Sequence, residues 1–305
     1  MERNFYMKSD FTQISIEEVR MIGSGLIRPK GVMVADDGNI YTTDARGCCA
    51  RISPEGDTAF FGTLGGTPNG LCLDRKGNCI IANMSNGRVQ LLAGDGSQSV
   101  LLDDPQDDER IFSPNSPFLD LQGRLWISCS TDYPYREPSL RPPVPDGCLI
   151  VLENDKEPRI AADDMGFING VALDEEEKFV YVAETLNMRI LRYPINEDGS
   201  LGAKEVYGPE VLGAKYVPDG IAFDEAGNLW VTFPAANTVG YITPDRKLGI
   251  YVEDPQGLIL HAPASICFGG KNRKTAFIGS LRCSFVSCFD VPYPGVRLIH
   301  QNGLH

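Results

Sequence analysis

The 305-residue sequence carries 28 Lys plus Arg against 41 Asp plus Glu, a net charge of −13, with 42% hydrophobic and 23% charged residues. That composition excludes a disordered chain, and so acidic a surface repels nucleic-acid backbones and anionic membranes. No apolar run approaches the roughly 18 residues that span a bilayer, and Met1-Glu2-Arg3-Asn4-Phe5-Tyr6-Met7-Lys8 lacks the apolar core of a signal peptide, so the expectation is a cytoplasmic protein whose partner is a small molecule, with no nucleic acid, no membrane and the oligomeric state left open.

Taken in chain order, residues 1–12 read as a tail, and residues 13–22 hold apolar positions with no neighbouring strand to pair with. A phrase then begins that recurs along the chain. It has a polar residue, a small residue, about three strand-forming positions, an acidic turn ending in Gly, and a second apolar strand. The first copy runs from Lys30-Gly31-Val32-Met33-Val34 through Asp37-Gly38-Asn39-Ile40-Tyr41. It returns at Asn69-Gly70-Leu71, Asn115-Ser116-Pro117, Asn169-Gly170-Val171 and Asp219-Gly220-Ile221, and in a degenerate form at Ala264-Ser265-Ile266. Copies opening at 30, 69, 115, 169, 219 and 264 are 39 to 54 residues apart. Short strands with turn punctuation at a period of roughly 40–50 residues are the mark of a β-propeller.

The expectation is therefore an all-β fold, a six-bladed β-propeller of four-stranded antiparallel blades, formed as a single domain over residues 13–300. Residues 13–22 are expected to add a strand to the last blade, so that the N-terminal strand closes the ring and leaves no open sheet edge. Nine cysteines, without CxxC pairs or zinc spacing, sit mostly in apolar runs and read as buried thiols. Cys48-Cys49 is the pair whose role stays open.

The opening residues carry the functional reading. Inner strands of a propeller line a channel, and Lys30, Asn69, Asn115, Asn169 and Asp219 open five of them at one mouth. The small residue after each lets backbones approach closely around the axis. Asn and Asp before Gly also make ordinary turns. Two amide oxygens and a carboxylate from three blades, Asn115, Asn169 and Asp219, nevertheless form a hard-oxygen set suited to a divalent cation, Ca²⁺ first. His261, in Leu260-His261-Ala262-Pro263 before the sixth copy, is a candidate acid/base group at the same mouth. The aromatic, Pro-rich loop from Thr131 to Pro145 offers Tyr133, Tyr135 and Arg136 as pocket-capping residues, with Arg136 suited to a substrate carboxylate. The acidic runs Asp103–Arg110 and Asp174–Glu177 read as solvated loops.

These motifs resemble the gluconolactonase/regucalcin family, above all Asn169-Gly170-Val171-Ala172-Leu173-Asp174, Val217-Pro218-Asp219-Gly220-Ile221 and Cys267-Phe268-Gly269-Gly270. The resemblance covers residues 15 to 295. It implies a six-bladed propeller with one catalytic divalent cation at the mouth and hydrolysis of sugar lactones or related esters, the cation polarising the reacting oxygen. It implies Asn169 and Asp219 as metal ligands, and Asn115 as a metal or substrate ligand. One position departs: Lys30-Gly31-Val32 stands where the resemblance implies Glu-Gly-Pro with a metal-binding carboxylate. The default reading is a lactonase-like hydrolase with Lys30, Asp219 and His261 as catalytic residues and Asn69, Asn115, Tyr133, Tyr135 and Arg136 on the substrate. Three roles for Lys30 remain: a substitute for the cation, a Schiff-base amine in lyase, isomerase or aldolase-type chemistry, or no role, with either a metal-dependent enzyme or a non-catalytic binding propeller left.

Overall fold

The computed structural model describes residues 11–103, 113–132, 144–153 and 156–301. Its strands form six four-stranded antiparallel sheets. Blade 1 comprises Val32–Val34, Ile40–Asp44, Cys48–Ile52 and Thr58–Phe61; blade 2 comprises Pro68–Leu73, Cys79–Asn83, Arg88–Leu92 and Gln98–Leu102. Blade 3 comprises Pro114–Leu119, Leu125–Cys129, Gly147–Leu152 and Arg159–Met165; blade 4 comprises Ile168–Leu173, Phe179–Glu184, Arg189–Pro194 and Glu205–Tyr207. Blade 5 comprises Ile221–Phe223, Leu229–Phe233, Thr238–Ile242 and Leu248–Glu253. Blade 6 takes Pro263–Gly269, Thr275–Ser280 and Val286–Asp290, and its outermost strand is Arg20–Ile22, paired with Val286–Asp290 through Arg20–Cys288 and Ile22–Val286. That strand is shorter than the 13–22 expected. Ile16–Glu18 turns as a 3-10 helix capped by Ser15.

The recurring acidic turn has a local cause. In Asp74-Arg75-Lys76-Gly77 the Asp74 carboxylate accepts the backbone N–H groups of Lys76 and Asn78, both at 2.8 Å, and Gly77 takes φ +79°, a region closed to most side chains. Asp120 and Asp224 repeat the device and add the indole N–H of the Trp six residues on, Trp126 at 3.0 Å and Trp230 at 2.9 Å. Each hairpin is thus anchored to a buried tryptophan on its own second strand. Between blades the inward faces interdigitate. Trp230, Tyr241 and Tyr251 of blade 5 pack with Ile266, Phe268 and Phe289 of blade 6 in one core cluster.

The acidic run Asp174–Glu177 is only partly the solvated loop expected: Glu175 and Glu176 are exposed, but Asp174 and Glu177 are not. Asp174 accepts the N–H of Phe179 at 2.9 Å and Glu177 that of Leu121 at 2.8 Å, and burial raises both carboxyls above their usual range. Asp174 thus holds its turn and Glu177 makes a contact between blades. Most of the run Asp103–Arg110 lies outside the described residues.

At the axis the small followers do steric work. A Cβ on Gly170 would stand 2.5 Å from Asp219 O and 2.9 Å from Ile221 N, and one on Gly31 would stand 2.7 Å from Asn69 O. Gly70 meets Asn115 O in the same way. The opening residues of blades 2, 3 and 5 therefore lie against the glycine of the blade before each. The channel beneath has a cavity of about 50 Å³, with Lys30 at one end, Phe118 and Phe268 on its walls, and Val296 and Leu298 at the other end. Residues 294–301 lie across that far end. Val296 N donates to Phe223 O at 3.0 Å, Gln301 Nε2 donates to Val34 O at 3.3 Å and to Phe268 O at 3.2 Å, and His300 Nε2 lies 3.0 Å from Val34 O.

Candidate functional site

The inner strands deliver their opening residues to one end of the channel. Gly31 N donates to Thr43 Oγ1 at 2.9 Å, and Thr43 Oγ1 donates to Asn69 O at 2.7 Å, fixing blade 1 to blade 2 beside Lys30. In blade 5, Asp219 N and Gly220 N are held by Thr232 O and Thr232 Oγ1 at 3.0 and 2.8 Å, and Asp219 O accepts Gly170 N at 2.8 Å. The five side chains that result are almost removed from solvent: Asn69 and Asn115 at 0%, Lys30 at 3%, Asn169 at 4% and Asp219 at 6%.

They form a connected ring. Lys30 Nζ donates to Asn115 Oδ1 at 2.9 Å and stands 3.1 Å from Asp219 Oδ1. The contact with Asp219 is one of charge, because Oδ1 receives no aligned hydrogen bond. Asn69 Nδ2 donates to Asn115 Oδ1 at 2.6 Å and to Asn115 O at 3.1 Å. Asn115 Nδ2 donates to Ser130 Oγ at 2.6 Å and to Asn169 Oδ1 at 2.5 Å, and Asn169 Nδ2 donates to Thr185 Oγ1 at 2.6 Å. Ser130 and Thr185 pass the chain on to Ile168 O and Pro218 O. Side chains from five blades are thereby locked in one network, and buried polar networks of this kind are rigid only when their members are satisfied.

Arg28 was not anticipated from the sequence. Its Nη2 donates to Asn69 Oδ1 at 2.8 Å, and Asp219 is the charge that acts on it. Burial lowers its guanidinium from the usual value, against the opposing pull of Asp219. The residue adopts φ +53° directly before Pro29, where extended backbone is the usual state. Nothing in the composition of Arg28-Pro29-Lys30 announces this. The signal was only a second basic residue two positions before the polar opening of a blade.

The other candidates fall elsewhere. His261 is exposed, its ring lies beside Gly257, and its backbone oxygen accepts Ser280 Oγ at 2.5 Å. These contacts place it on the loop entering blade 6, beside the ring rather than in it. Tyr133, Tyr135 and Arg136 lie outside the described residues. Cys48 is half-buried and the other eight cysteines are buried. Burial holds the Cys48 thiol above its usual range, and Cys49 is raised well above it, first by its hydrogen bond with the Cys79 thiol and then by burial. Such thiols are poor nucleophiles.

The donor set can be tested against a divalent cation. Asp219 is the one carboxylate of the ring, and Lys30 sits against it. A divalent ion about 4 Å from an ammonium is repelled by on the order of 8 kcal/mol at an effective dielectric near 20, which offsets more than half of the attraction of a single coordinating carboxylate. The amide oxygens of Asn115 and Asn169 already accept N–H groups from within the ring, and Ca²⁺ asks for six to eight oxygens. As folded, the ring fits an ammonium and does not fit Ca²⁺.

Six four-stranded blades around a closed channel define a β-propeller. Within that class the chain belongs to the SMP-30/gluconolactonase/LRE-like family, whose sequence profile matches residues 61–282. Asn69, Asn115, Asn169, Asp219 and His261 fall inside the matched segment, and Arg28 and Lys30 precede it. A 6-deoxy-6-sulfogluconolactonase of Pseudomonas putida is 30% identical over 136 residues, which span 45% of each protein. The structure of a putative gluconolactonase superposes with a TM-score of 0.75 over 92% of this chain and 94% of that one, at 20% identity. A calcium-binding regucalcin of Agrobacterium tumefaciens does so with a TM-score of 0.74 over 90% and 95%, at 16% identity. The family thus includes named lactonases, and the two structural matches share the fold.

Proposed function

We propose that this protein hydrolyses lactone or ester bonds of a small molecule at the polar ring, with the Lys30 ammonium serving in place of a divalent cation. The observation that carries the reading is the position of Lys30 Nζ, 2.9 Å from Asn115 Oδ1 and 3.1 Å from Asp219 Oδ1, at the position where the family resemblance calls for a metal-binding carboxylate. Membership of a family with named lactonases supports the reaction class. In this reading the ammonium polarises the substrate carbonyl and stabilises the oxyanion that forms when water adds. The acyl–oxygen bond then breaks, and the proton given up by the attacking water passes to the leaving oxygen. Asp219 lies opposite the ammonium, and Asn115, itself held by Asn69 and Asn169, accepts from it.

The ion pair also separates this reading from an amine nucleophile. An opposing carboxylate favours the protonated form, and a protonated amine forms no Schiff base. The test is a lactone panel assayed with and without a chelator, on wild type and on Lys30→Met and Lys30→Glu. Hydrolysis that survives the chelator, falls at least 100-fold in Lys30→Met, and is joined by new Ca²⁺ binding in Lys30→Glu is the expected result. Activity that the chelator abolishes, or that Lys30→Met retains, overturns it. A lysine adduct trapped by borohydride moves the chemistry to the amine.

A further inference from the structure

Arg28 is built into the mouth with a donor left over. Its Nη2 is bound to Asn69, but its Nη1 is buried and has no hydrogen-bond partner. Leaving a buried guanidinium N–H unpaired is costly, and so is holding a non-glycine residue at positive φ, here +53° before a proline. The surrounding structure enforces both. Ile27 is clamped on blade 1, its N–H on Asp44 Oδ2 at 2.8 Å and its C=O on Ala45 N at 2.8 Å. Pro29 O accepts Ser280 N at 2.8 Å, and Lys30 O packs directly against Gly279 of blade 6. Arg28 is therefore fixed from both sides, with its fork directed at the ring.

The charges at this end complete the argument. Arg28 and Lys30 supply two positive charges and Asp219 one negative charge. Among these three groups the balance is one positive charge, on a protein whose net charge is −13. Arg28 and Lys30 are joined through one amide: Asn69 Oδ1 accepts from Arg28, and Asn69 Nδ2 donates to the oxygen that also accepts from Lys30. A guanidinium with an unfilled donor beside a fixed ammonium is a receptor for a planar anion, which a carboxylate matches best. We propose that Arg28 is a specificity residue that binds a carboxylate of the ligand, so that the mouth selects small molecules carrying a carboxylate over their neutral counterparts. As a statement about substrates it rests on the hydrolase reading. As a statement about binding it does not.

The experiment is calorimetric titration at fixed ionic strength, using the carboxylates lactate, malate and gluconate, the corresponding primary amides, and inorganic phosphate. Wild type should bind at least one carboxylate at least tenfold more tightly than its amide. Arg28→Gln, which removes both the charge and the fork, should lose that preference, and Arg28→Lys, which keeps charge without the fork, should fall between them. Thermal melts of both variants establish that they are folded. No preference in wild type, or a preference that survives in Arg28→Gln, overturns the inference, as does phosphate binding more tightly than every carboxylate. Arg28-dependent carboxylate binding in a protein that cleaves no lactone keeps the inference and removes the hydrolase reading.

Discussion

The two ends of the channel are finished in opposite ways. At one end side chains from five blades meet, and Lys30, Asn69, Asn115, Asn169 and Asp219 join them by side-chain contacts. At the other end the blades do not reach one another. A separate stretch, residues 294–301, crosses between them and bonds mostly to backbone oxygens, Phe223 O, Val34 O and Phe268 O. The same inner strands serve both ends, so the difference lies in what begins and what ends each strand. Side-chain identity matters at the first end, where one substitution alters charge and geometry together. At the second the chain path matters, because backbone acceptors are present whatever the residue.

Removing the charge at the first end should be the most damaging change. Lys30→Met removes the ion-pair partner of the nearly buried Asp219 carboxylate, leaving only the charge of Arg28 to act on it, and breaking a buried pair costs up to about 3–5 kcal/mol. Urea unfolding should show that loss, and Lys30→Met with Asp219→Leu should recover most of it. A single variant within about 1 kcal/mol of wild type would mean that the two groups are not paired in solution.

A smaller effect is expected where the ring is only crowded. Gly170→Ala drives a methyl into Asp219 O and Ile221 N, and overpacking of this kind costs about 1–3 kcal/mol. The same measurement should also find weaker ligand binding, since Asp219 must move. An unchanged Gly170→Ala protein would show that the close approach of blades 4 and 5 is not needed.

The plugged end should answer to pH and only mildly to substitution. Burial lowers the His300 imidazole from its usual value of 6.5. The unfolded chain therefore takes up a proton below about pH 6.5 while the folded one does not, and stability is lost as pH falls through that value towards the folded one. The slope contributed is at most about 1.4 kcal/mol per pH unit. His300→Gln should flatten the wild-type curve between pH 7 and 5.5. Equal slopes would mean that His300 is reached by water.

Much of this could be read in advance, and the reasons are local. The Asp-to-Gly turns recur because the Asp caps the same backbone N–H groups and the Gly takes positive φ, so four blades leave closely similar phrases, while blade 4 puts Glu177 at the positive φ and blade 6 lacks the Asp. The ring residues could be placed because they open those phrases, and Lys30 stood out as the one long cation among short polar residues. Arg28 could not be found that way. It precedes the phrase, and its role comes from a backbone angle and from blade 6, some 250 residues on. Residues 294–301 have no period, since they fill a hole shaped by the ends of strands. Asp174 and Glu177 looked solvated because a run of acids usually is, whereas the fold spends two of them on backbone donors.

The strand Arg20–Ile22 has a consequence for how the protein is made. Arg20 is bound to Asp290, 270 residues further along the chain. At about 5–20 residues per second the ribosome needs some tens of seconds to supply that partner. Throughout that interval the last sheet is missing and an edge of the nascent molecule stays exposed. Assembly of the circle is therefore a late and slow event, set by synthesis and by contacts of very long range, and crowding by other nascent chains falls in that window.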